Sequence, residues 1–109
     1  MEKFSLDAIV REQIRKASAH GGRAAETVYG GHEKTLRQTV IALTAGTSLA
    51  EHESGGEATV FVLDGRVRLA SAAASWEGRR GDLLVVPLAR HSLEALTDAA
   101  VLLTVSTQV

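Results

Sequence analysis

No cysteine occurs in the chain, and that absence excludes a disulfide framework, an iron–sulfur centre and a thiolate metal cage. Any bound metal must therefore take nitrogen and oxygen ligands. Aromatic residues are scarce, with one Trp, one Tyr and two Phe among 109 residues. Trp76 and Tyr29 read first as packing residues, given the apolar area a ring buries. No run of about 18 apolar residues exists, so no membrane span is expected. Neither sign of charge dominates: 12 Lys and Arg face 13 Asp and Glu, for a net charge of −1. Arg79-Arg80 reads as a solvated edge, and without a basic patch no nucleic-acid partner is expected. The opening MEKFSLDAIVREQIRK alternates charge with apolar residues, unlike a secretory leader, so a cytoplasmic location is expected.

What is present suits one domain, because 45% of the residues are apolar and the length allows a single core. Leu6, Ile9, Val10, Ile14 and Ala17 recur at three- and four-residue spacing and predict a helix from Ser5 to Ala19. Ser5 is its N-cap, Phe4 can staple onto Ile9, and Gly21-Gly22 ends it. From Glu26 onward the texture is that of short strands: 26–29, 36–43, 58–63, 66–71, 75–77, 82–86, 92–96 and 100–106. Eight strands at this spacing predict an all-β barrel or sandwich, with residues 1–25 as an N-terminal helix and linker and 26–109 as the barrel. Asp64-Gly65 between apolar strands predicts a type I′ hairpin. Residues 77–81 predict a further turn, and Pro87 a strand end. Val60–Leu63, Leu83–Val86 and Val101–Leu103 are apolar at every position. Both of their faces must then be covered, by the N-terminal helix or by a partner subunit, which predicts a homodimer or a larger assembly.

The stretch Gly46 to Gly65 (GTSLAEHESGGEATVFVLDG) has a glycine, five residues and then His52. It closes on an apolar strand and Asp64-Gly65, and it resembles the first signature of the cupins. A second signature follows in GDLLVVPLARHSLEAL, with Gly81, five residues, Pro87 and then His91. The resemblance covers about Thr39 to Val105. It implies a double-stranded β-helix, the cupin jelly-roll barrel, with the N-terminal α-helix packed outside it. It also implies that His52 and His91 stand where family metal ligands stand. Other positions depart from the pattern. Ser54 occupies the place of the second histidine of the first motif. Ala58 occupies that of its glutamate, with Glu57 one residue early. Alternation along a strand aims Glu57 away from the lumen unless a bulge resets the register. The second motif is one residue short of the usual Pro-x-Gly-x-x-His and lacks its glycine.

Three functional readings follow from the resemblance. The first is a binding or sensing protein that holds a small molecule in the barrel lumen, with His52, His91, Gln38 and His32 lining the pocket. The second is a metal-dependent enzyme of the dioxygenase or isomerase type. In it Zn, Fe, Ni or Mn is held by His52, His91 and Glu57, with Glu51 and Glu53 as weaker candidates. Stable sites usually need three or four protein ligands, and the replaced second histidine and glutamate favour the first reading over this one. The third is a structural or interaction protein whose barrel is filled by side chains. Arg37 and Arg90 can bind an anionic ligand if they face the pocket. Ser54, His52 and Glu57 contain the residue types of a catalytic triad, but triads are recognised by geometry rather than by proximity in sequence.

Overall fold

The computed structural model describes residues 1–31, 33–52 and 56–106, with backbone alone for 50–52. Helix α1 spans Leu6–Ala19. Nine strands follow: β1 (Arg23–Tyr29), β2 (Leu36–Leu43), β3 (Ser48–His52), β4 (Glu57–Asp64), β5 (Arg66–Ser71), β6 (Ser75–Arg79), β7 (Leu83–Val85), β8 (His91–Ala95) and β9 (Ala99–Ser106). They form two antiparallel sheets, a five-stranded one in the order β1-β2-β9-β4-β7 and a four-stranded one in the order β3-β8-β5-β6. The all-β fold with one outer helix is the one expected. Strand β3 was not anticipated.

The core lies between the two sheets. Alternation sends Val60 and Val62 of β4, Val101 of β9 and Leu43 of β2 inward from the larger sheet. Val67, Leu69, Leu93 and Ala95 meet them from the smaller one. A second, smaller core lies on the outer face of the larger sheet, where Val10 of α1 packs with Val40 and Ala100. The Ser5 Oγ caps the helix by accepting from Ala8 N at 3.3 Å, and Gly21 and Gly22 turn the chain with positive φ, as the capping pattern requires. The buried stripe of α1 is Val10, Gln13 and Ala17. Gln13 is 1% exposed and satisfies its amide by donating Nε2–H to Glu26 Oε1 at 3.1 Å. Phe4 stays half exposed.

Asp64-Gly65 is not a type I′ hairpin. Strand β4 pairs with β7 and β9, whereas β5 pairs with β6 and β8, so the chain passes from one sheet to the other at Gly65. Of the two residues only Gly65 has positive φ (73°), and among the described residues none other than glycine does, which excludes the two positive φ values of a I′ turn. A Cβ on Gly65 would lie 2.1 Å from the Asp98 carbonyl oxygen, so the corner needs a residue without one. The later turn closes at Arg79–Asp82, where Asp82 N donates to Arg79 O at 2.8 Å. Pro87 lies outside every strand. No described helix is long and apolar enough to cross a membrane.

Candidate ligand site at the barrel mouth

Strand β8 pairs His91 with Ser71 of β5 on one side and with His52 of β3 on the other. Its burial alternates strictly, with His91, Leu93 and Ala95 buried, so His91 lies on the inward face. The imidazole is 5% exposed and lines a small internal cavity with Ile41, Leu49, Leu69, Leu93 and Leu103 among others. Its Nδ1 lies 2.8 Å from the Ala89 carbonyl oxygen. A carbonyl oxygen only accepts, so Nδ1 carries the hydrogen of this bond. The same bond ties the ring to the short Pro87–Arg90 connection and fixes its orientation.

The inner cavity measures about 30 Å³, the room of one water molecule. Below His91 the barrel is thus packed almost solid by valine and leucine side chains. The space for a larger ligand lies above, at the mouth. Arg37 shares the inward face of β2 with Thr39 and Ile41 by alternation, and its register partner Val105 packs on the inner core. Its position on that strand is one pleat beyond Thr39, at the open end, and it is exposed. The Thr39 hydroxyl is linked to that of Thr27 at 3.1 Å.

The remaining sequence candidates separate. Glu57 is exposed and shares its face with Thr59 and Phe61, while Ala58, Val60 and Val62 point inward. The ladder from Glu57 to Val62 runs without a shift, so no bulge rescues it, and its tentative role as a metal ligand is corrected. The irregularity that does exist lies in β3, between Leu49 and His52. Gln38 does share a face with Val40, but that face is the one beneath the helix. Gln38 lines an outer groove with Phe4, Leu6, Tyr29 and Leu102 and donates to Thr104 Oγ1 at 3.2 Å, so it is not a lumen residue. His32, Glu53 and Ser54 lie outside the described residues, as do the side chains of Glu51 and His52. Arg90 is exposed beside His91. Two residues escaped sequence reasoning. Gln13 was hidden because a glutamine in an apolar stripe reads as surface. Ser71, opposite His91, has no motif of its own.

The donor set can be tested against a metal. Among the described residues no group of three or more His, Asp or Glu side chains is placed to hold an ion. The one described imidazole facing the lumen, that of His91, falls short of the three or four protein ligands of a stable site, so the described residues alone do not make a closed metal centre.

Neither a family model nor a curated protein matches the chain. Solved structures do match its fold. A cupin superfamily protein from Desulfitobacterium hafniense is 15% identical, with a TM-score of 0.72 over 79% of this chain and 78% of that one. An RmlC-like cupin protein from Desulfovibrio desulfuricans is 27% identical, with a TM-score of 0.68 over 79% of this chain and 83% of that one. Salicylate 1,2-dioxygenase from Pseudoaminobacter salicylatoxidans, in adducts with gentisate, is 24% identical with a TM-score of 0.75. That match takes in 93% of this chain but only 31% of the dioxygenase.

Proposed function

This chain has the cupin fold, and we propose that it binds a small organic acid bearing a hydroxyl group at the mouth of the barrel, as a binding or sensing protein without chemistry of its own. The observation that carries the reading is the buried His91 on the inward face of β8, its ring oriented through Nδ1 and the Ala89 carbonyl oxygen. The neutral ring accepts from a ligand hydroxyl, and the protonated ring donates to a carboxylate. Arg37, on the inward face of β2 in the facing sheet, supplies a planar guanidinium suited to a bidentate carboxylate. Packed aliphatic side chains below form a floor that keeps the ligand at the rim.

Salicylate and gentisate, which occur in the names of structural neighbours, are suitable probes because each carries both groups. Calorimetric titration of the metal-free protein with each should give saturable binding. Arg37→Ala should weaken it by about tenfold or more, the worth of a charged hydrogen-bonding partner, and His91→Ala should weaken it further. Absence of heat up to about 10 mM, a Kd worse than which has no binding meaning here, would reject the reading.

The filled-barrel reading has one observation in its favour, the 30 Å³ cavity. It predicts that both variants bind as the parent does, which is to say not at all. Elemental analysis tests the metal-dependent enzyme. Near-stoichiometric Zn, Fe, Ni or Mn, lost on substituting His52 and His91 together, would favour that enzyme over the binding protein.

A further inference from the structure

One irregularity in β1 serves neither the core nor the mouth. Its ladder with β2 shifts between Thr27, opposite Thr39, and Tyr29, opposite Gln38. Val28 is the extra residue of a β-bulge, a device that re-aims a side chain. An unshifted ladder would set Tyr29 opposite Arg37, on the inward face. The bulge pairs it with Gln38 instead, and directly opposed residues share a face, so Tyr29 lies on the outer face. There it lines two adjoining grooves with Phe4 and Val28. The larger is bounded also by Glu2, Gly30, Glu33 and Lys34 and measures about 650 Å³, within the range of small-molecule sites. Gly30 has positive φ (94°), and a Cβ there would strike the Leu36 carbonyl oxygen. The chain after Tyr29 is thus pressed onto β2, which fixes one wall of the groove.

We propose that this groove is a second binding site, for a small organic cation with an apolar body. Two of the chain's four aromatic residues stand at it, Phe4 46% and Tyr29 43% exposed. A ring open to a groove can take a cation over its face, where the ring quadrupole attracts it. Charge decides the sign of the ligand. Glu2 and Glu33 line the groove against one cation, Lys34, and among the described residues neither carboxylate is in an ion pair. The positive end of the α1 dipole would favour an anion, but the Ser5 cap and Asp7 of the first turn already answer it. Tyr29 lies on the opposite face of the larger sheet from the lumen residues, so this cation and the acid at the mouth bind independently.

Titration with benzyltrimethylammonium tests this, followed by the ring proton resonances of Phe4 and of Tyr29, the chain's one tyrosine. They should shift saturably, with a Kd below about 10 mM. The anion 3-phenylpropionate, of similar size, should leave them in place. Tyr29→Leu should weaken binding about threefold or more, whereas Tyr29→Phe keeps the ring and should bind within about twofold of the parent. Replacing Glu2 and Glu33 together by Gln should weaken it about threefold, and this variant decides if Tyr29→Leu does not fold. Excess salicylate should not displace the cation. No saturable shift, an equal response to the anion, a folded Tyr29→Leu or double-Gln variant that binds as the parent does, or displacement by salicylate would overturn the proposal.

Discussion

Gly65 and Gly21 both have positive φ, yet their surroundings make opposite demands. A methyl group on Gly21 meets nothing within 4 Å, whereas on Gly65 it meets the Asp98 carbonyl oxygen at 2.1 Å. Gly21→Ala should therefore cost about 1 kcal/mol, the backbone penalty alone. Gly65→Ala must also push β9 away from the corner and should cost roughly 3 kcal/mol or more. Urea unfolding of the two variants measures the difference, and equal costs would contradict the sheet-crossing corner. His91 makes a further residue-scale prediction. His91→Ala removes a buried ring and its bond to Ala89 and should destabilise by about 2–4 kcal/mol, measured the same way. His91 itself was legible from its place after Pro87, because both the proline stop and the family spacing point to it. The face to which Gln38 belongs was not. Parity with Val40 was readable, but only the packing of α1 shows that this parity is the outer one.

At the scale of elements, α1 is tied to the sheet by an asymmetric pair. Gln13 is buried, whereas Glu26 is exposed. Glu26→Ala strands the buried amide without its acceptor and should cost about 1–3 kcal/mol. Gln13→Leu removes the polar group itself and leaves a carboxylate that water can solvate, so it should be close to neutral or slightly stabilising. Thermal unfolding of both distinguishes them, and the reverse order would show that the bond does not anchor the helix. The helix and most strands were legible because periodicity is local. Strand β3 was not, since Glu51, His52 and Glu53 resemble a solvated acidic loop and only pairing with β8 makes the segment a strand. Asp64-Gly65 misled for a related reason. A tight hairpin and a corner between sheets ask for the same glycine, and which one forms depends on partners far along the chain.

For the whole molecule, the two outer faces and the mouth divide the work. The charged face of the smaller sheet meets solvent, and the helix covers half of the larger sheet, leaving Phe61, Leu83 and Val85 exposed. The double-faced apolar strands announced that some cover was needed, and the extent of α1 shows which strands still lack it. The proposed site lies at the mouth, above a packed floor. The motif alone could not reveal that floor, because cavity volume depends on how side chains from both sheets interlock. The central claim is the proposal that the buried His91 imidazole meets the ligand at the barrel mouth. The most direct measurement is long-range nitrogen–proton correlation NMR of the His91 imidazole, before and after adding salicylate. The account predicts a ring protonated at Nδ1, with an Nε2 resonance that moves on titration while Nδ1 keeps its hydrogen. A ring protonated at Nε2 alone, or an Nε2 resonance unmoved by salicylate that binds elsewhere, would contradict it.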